Sequence, residues 1–140
     1  MVQACDARNL GQHYQKGSIE AIATEPDLGP VLKYRVPKKD AQKIIRYLTS
    51  LYKSFFNSAR SILRPGDRIA MVFPCINSRD GKVFVDKHFQ GFRLVEPFHA
   101  IPGGYRKHLK MRRMIVDEER EKGKTRVTAR EFAIFVVRND

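Results

Sequence analysis

The pattern of apolar and polar residues is clearest between Lys38 and Leu63. Ala41, Ile44, Ile45, Leu48, Leu51, Tyr52, Phe55, Phe56, Ala59, Ile62 and Leu63 recur at spacings of three and four. That spacing gathers them on one face and predicts a long amphipathic helix. Lys43, Arg46, Lys53 and Arg60 fall on the opposite face, and the Arg64-Pro65-Gly66-Asp67 sequence ends the helix. Ile69 to Phe73, "IAMVF", is nearly all apolar and suits a strand buried on both faces of a parallel sheet. Before the helix, Val2 to Cys5 and Ile19 to Thr24 read as short strands, separated by "ARNLGQHYQKGS", which can form a short helix and a turn. Pro26, Pro30 and Pro37 then keep the chain irregular. After the apolar strand, Lys82 to Gln90 reads as a short helix closed by Gly91, Phe92 to Phe98 as a strand, Tyr105 to Arg126 as a charged connection, and Arg130 to Val137 as a last strand. This order predicts an α/β class in a single domain over residues 1–140, with helices packed on the sheet.

Composition adds a partner class. The chain has 140 residues, 42% of them hydrophobic, which suits one core and argues against disorder. No apolar run approaches the roughly 18 residues of a membrane span, so no membrane contact is expected. "MVQACDARNL" lacks the basic and apolar regions of a secretory signal. Cys5 and Cys75, the only cysteines, sit in apolar runs and read as reduced core residues of a cytoplasmic protein. The formal net charge of +12 favours a polyanionic partner, nucleic acid above all, over a merely lysine-rich surface.

Three segments carry a more specific signal. "CDARNL", "IEAIATEPDLGP" and "ILRPGDRIAMVFP", in this order, resemble the second half of a class I S-adenosylmethionine-dependent methyltransferase. The first resembles the third-strand motif, the second motif IV of amino-group methyltransferases, and the third the helix, Pro-Gly and strand that follow motif IV. The tRNA guanine-N2 methyltransferase-like family is the group most similar to the whole pattern, with "FRLVEPF" and "REFAIFVVR" as its last two strands. The resemblance implies a partial Rossmann-like sheet, mostly parallel with an antiparallel last strand. It implies S-adenosylmethionine as cofactor, met by Asp6, Ala7 and Thr24, and N-methylation of a nucleobase amino group in RNA, with tRNA as the expected substrate. By position, Glu25 and Pro26 take the catalytic places, and Asp27, Leu28 and Gly29 line the substrate.

The chemistry explains these residue types. An exocyclic amine is a poor nucleophile because its lone pair is delocalised into the base. A carboxylate at Glu25 and a carbonyl at Pro26 would accept its N–H bonds, orient the lone pair and stabilise developing positive charge. The family usually has a second proline and then an aromatic ring to stack on the base; here these are Asp27 and Leu28. The plainer alternative is a turn bearing solvated acids, with Asp6 capping a short helix.

The glycine-rich cofactor loop of the family has no counterpart here, nor has the acid after its second strand. The motif IV strand would then show an open edge, which invites pairing with another chain. A second chain or another copy could pair at residues 19–24, or Val2 to Cys5 could fill the gap; the second arrangement is the expected one. Lys33 and Arg35 would flank the cleft, and Tyr105, Arg106, Arg112 and Arg113 offer phosphate neutralisation and base stacking, or a solvated insertion. His13, His88, His99 and His108 are scattered, with no metal spacing, so no metal site is expected. Two functional readings stand: a methyltransferase completed by a partner that holds the cofactor, and a non-catalytic nucleic-acid-binding or regulatory protein derived from one.

Overall fold

Helix α1 (Lys38–Ile62) forms where the periodicity places it. In the computed structural model, which describes residues 2–95, 114–116 and 127–139, its buried stripe is Ala41, Ile45, Leu48, Tyr52, Phe56, Ala59 and Ile62. Ile44, Leu51 and Phe55 pack at the margin of the same core. Asp40 in the first turn and Arg60 in the last complement the helix dipole. At the carboxyl end the Asp67 carboxylate accepts the Arg64 N–H at 2.6 Å, and Gly66 takes φ +93°, a backbone open to glycine.

The sheet is built on β2 (Arg68–Ser78). On one side β1 (Ala21–Thr24) pairs with it in parallel, with Ala21 opposite Arg68 and Thr24 opposite Met71. On the other side β6 (Thr128–Val137) runs antiparallel along nine register positions, from Arg68 opposite Val136 to Ile76 opposite Thr128. Strand β3 (Gly81–Phe84) folds back on the far end of β2. Strands β4 (Phe92–Val95) and β5 (Met114–Val116) both pair antiparallel with β6. The path through the sheet is β1-β2-β6-β4. The α/β class and the antiparallel last strand are as expected. The parallel share is smaller than expected: among the described residues β1 with β2 is the parallel pair and the other four pairings are antiparallel. An apolar run does not distinguish these cases, because it reports burial of the side chains and not the direction of the neighbouring strands.

Two further expectations are corrected. Residues 2–6 form no strand; Asp6 instead caps a 3₁₀ helix, Ala7–Gln12, by accepting the Arg8 N–H. That helix docks on α1, where the Ser58 hydroxyl accepts the Leu10 N–H at 2.7 Å, and among the described residues no strand pairs with the outer edge of β1. Cys75 is buried on β2 and in no disulfide, and Cys5 lies half-buried at the margin of the core. Lys82 to Gln90 is not a helix. Its first residues alternate, with Val83 buried between exposed Lys82 and half-buried Phe84, and they form the return arm of a hairpin. The two-residue Arg79-Asp80 turn is held by the Ser78 hydroxyl, which donates to the Gly81 carbonyl at 2.5 Å, with Gly81 at φ +119°. None of the helices among the described residues is long and apolar enough to cross a membrane.

Aromatic rings join α1 to the sheet. Phe56 stacks on Phe89 with centroids 3.8 Å apart and meets Phe135 and Phe92 edge-on at 4.8 and 5.0 Å. Tyr52 meets Phe73 edge-on at 5.5 Å. Phe56→Ala should lower the unfolding free energy by about 3–5 kcal/mol, measured by urea denaturation. Beside this cluster, Lys87 forms a buried ion pair with Glu131, and its ammonium lies 5.4 Å from the centre of the Phe73 ring. Glu131 is 2% exposed, so removing it strands a cation in the interior. Glu131→Ala should cost about 3–5 kcal/mol, and the double change Lys87→Met with Glu131→Leu should restore most of it.

A cleft at the carboxyl end of the first strand

The chain leaves β1 at Thr24, and the next residue, Glu25, enters a cleft of about 350 Å³. The cleft is lined by Glu25, the Leu28-to-Leu32 segment, Thr128 and Arg130. The register accounts for the meeting. Arg130 lies opposite Pro74 on β2, three positions beyond the Met71 that faces Thr24. The chain running on from β1 therefore reaches the level of Arg130, although the two are 105 residues apart in sequence. The Arg130 guanidinium donates to both Glu25 oxygens, at 3.3 and 3.4 Å. The Glu25 side chain is 49% exposed and that of Arg130 37%, so the pair is screened and adds little stability. Thr128 adds a hydroxyl whose oxygen is buried and has no hydrogen-bond partner among the described residues. A buried hydroxyl of this kind is satisfied by a ligand or water.

The loop after Glu25 is fixed to the helix. Tyr52 of α1 donates its phenolic hydrogen to the Asp27 carbonyl at 2.5 Å. Burial, followed by the nearby Asp27 charge, pushes the Tyr52 phenol above its ordinary range, so it remains a donor. The Asp27 carboxylate accepts the Gly29 N–H at 2.8 Å and closes a local turn. Gly29 takes φ +91°, and a Cβ there would lie 3.1 Å from Leu48 and 3.2 Å from Ile44. Glycine is thus required both by its backbone angle and by its closeness to α1. Tyr52→Phe should reduce stability by about 0.5–1.5 kcal/mol in urea denaturation and speed amide exchange at Gly29, since it removes one bond that anchors the loop.

The expected site residues divide into groups. Glu25, Leu28 and Gly29 line the cleft, whereas Pro26, Asp27 and Thr24 adjoin it without lining it. Lys33 and Arg35 are exposed on the following loop, with Tyr34 between them 81% exposed. The Arg35 carbonyl accepts from the Arg79 side chain at 3.1 Å, which ties that loop to the β2–β3 turn. Asp6 and Ala7 lie at the start of the 3₁₀ helix and do not line the cleft. The side-chain hydrogen bond from Arg8, helped by the Arg8 N–H, holds the Asp6 carboxyl down to about 2. Tyr105, Arg106, Arg112 and Arg113 lie outside the described residues. Arg130 and Thr128 carry no short-range signal of a site; they are the opening residues of an ordinary strand, placed there by its register with β2.

Among the described residues there is no cradle for S-adenosylmethionine. The Asp6 carboxylate is taken up by three bonds to the Arg8 side chain and one to its N–H. Of the glycines with positive φ, Gly29 is packed on α1, Gly17 on Arg64 and Gly91 on Arg60, while Gly66 and Gly81 sit in turns. Among the described residues none forms a glycine-rich loop after a parallel strand.

Neither protein-family models nor curated proteins match the sequence. Solved structures do match the fold. The crystal structure of TrmN from Thermus thermophilus superposes with TM-score 0.51 at 16% identity, over 96% of this chain and 27% of TrmN. A "Putative DNA Modification Methylase" from the same organism superposes with TM-score 0.56 at 12% identity, over 97% of this chain and 53% of that one. The chain thus spans about a quarter of one neighbour and half of the other, and its fold is of the methyltransferase type.

Proposed function

We propose that this chain is the base-binding half of an S-adenosylmethionine-dependent methyltransferase that modifies a nucleobase amino group in RNA, with tRNA as substrate. A separate polypeptide segment supplies the cofactor-binding half. The observation that carries the reading is the Glu25 carboxylate presented in a cleft at the carboxyl end of a parallel strand, where open α/β sheets bind ligands. An incoming amine would donate to Glu25 and to the Pro26 carbonyl. The Thr128 hydroxyl offers a further bond, and Arg130 would yield part of its hold on the carboxylate. Leu28 gives an apolar wall but no ring; the exposed Tyr34 is the nearest aromatic in sequence on the same loop. The unpaired side of β1 is where the missing half would join, either as a second chain or as another copy.

Calorimetry with S-adenosylmethionine tests this, with the chain alone and together with the product of the adjacent reading frame. Heat should appear in the mixture only, along with transfer of labelled methyl to an unmodified tRNA transcript. Glu25→Ala should reduce that transfer at least about 100-fold without loss of fold, in line with removal of a charge-stabilising acceptor. No heat in either case would overturn the enzymatic reading. Unchanged turnover in the variant would remove Glu25 from the reaction.

The Glu25–Arg130 pair favours a second reading, because it already neutralises the carboxylate. In that reading the chain is a non-catalytic nucleic-acid-binding or regulatory protein. It predicts salt-dependent tRNA binding with no cofactor binding in any mixture.

A further inference from the structure

A second cleft, of about 530 Å³, opens at the other end of the sheet. It is lined by Arg60 of α1, Arg93 of β4 and Arg138, which follows β6, together with Gln90, Gly91 and Leu94. Arg93 and Arg138 also line the adjoining cleft over Pro65 and Gly66, so the two form one basic groove. From Arg130 to Arg138 is eight residues of nearly continuous strand, roughly 26 Å at about 3.3 Å per residue, so the Arg138 end of the groove lies well away from Glu25, while its other end reaches Lys87, the partner of Glu131.

Three features mark it as a binding surface rather than a solvated face. First, the guanidinium groups have no carboxylate partner among the described residues. The nearby acids are engaged elsewhere: Glu131 with Lys87, Asp86 with His88, and Asp67 with the Arg64 N–H. Secondly, the backbone fixes two of the arginines. Gly91 takes φ +84°, and a Cβ there would lie 2.4 Å from Arg60 Nε, so the Arg60 side chain rests against the bare backbone. The Gly91 carbonyl accepts the Arg138 N–H at 2.9 Å. Thirdly, Leu94 is 51% exposed beside them and gives an apolar contact next to the charges. Like charges lining one cleft repel one another, and an anion relieves that repulsion.

We infer that the Arg60, Arg93 and Arg138 groove binds backbone phosphates of single-stranded nucleic acid, with Leu94 against a base or sugar. This site does not depend on methyl transfer at Glu25, and either can fail alone. The same phosphate chemistry could be met by a free anion, so the test has two arms.

Fluorescence anisotropy with a 5′-labelled 12-nucleotide oligouridine, across a salt series, gives affinity and salt slope for the full chain. Arg60→Gln, Arg93→Gln and Arg138→Gln together should weaken binding at least about tenfold and reduce the logarithmic salt slope by about 2, at roughly 0.7 per phosphate contact. Arg93→Gln with Arg138→Gln, which leaves α1 untouched, should show about two thirds of the slope change. Pyrophosphate should compete only weakly. Circular dichroism melting checks that the variants fold. Retained affinity and slope in a folded variant would overturn the inference. Competition by pyrophosphate as strong as by unlabelled oligouridine would overturn the nucleic-acid occupant in favour of a small anion.

Discussion

Phe56 is the contact on which the arrangement of this chain depends. It is the residue of α1 that touches rings from three other parts of the fold: Phe89 after the hairpin, Phe92 on β4 and Phe135 on β6. Edge-on contacts such as those to Phe92 and Phe135 add specificity to apolar burial, because ring quadrupoles favour particular angles. They set the position of the helix over β2 and β6, and Tyr52, one turn earlier, meets Phe73 under the same constraint. The rest of the molecule is placed relative to that helix.

The Glu25 cleft follows from this placement. Tyr52 belongs to the ring cluster by one edge and holds the Asp27 carbonyl by its hydroxyl. One side chain therefore connects the core with the loop that presents Glu25. Gly29 presses the same loop against Ile44 and Leu48. The opposite wall comes from the first residues of β6, whose register with β2 is fixed by nine paired positions. The cleft is anchored on both sides, and its polar side chains are few: one carboxylate, one guanidinium and one buried hydroxyl.

Much of this is legible from sequence where the signal is local. Helix α1 repeats its apolar stripe along its whole length, too long to be accidental, and "RPGD" marks its end. Glu25 and Gly29 are legible as a loop after a strand, which is where the cleft forms. Lys82 to Gln90 misleads because a short mixed run satisfies either period. The hairpin is decided by pairing with β2, which lies outside the window. Val2 to Cys5 fails for a related reason: a short run can be a strand only if an edge accepts it, and here the chain turns into the capped 3₁₀ helix at Asp6 without pairing. Arg130 and Thr128 are not legible, since nothing close to either in sequence says what it will face. Their role is a property of the antiparallel register.

That register also governs when the chain can fold. The main ladder joins residues 68 to 76 with residues 136 to 128, so its partners lie more than fifty positions apart. During synthesis, β1, α1 and β2 leave the ribosome long before β6 exists. Throughout that interval one edge of β2, eleven residues long and apolar from Ile69 to Phe73, lacks its β6 neighbour. Sheets closed by their last strand fold slowly and expose sticky edges while they wait. The basic residues on the outer face of α1 then have a second consequence: their like charge opposes contact between chains whose β2 edge is still uncovered.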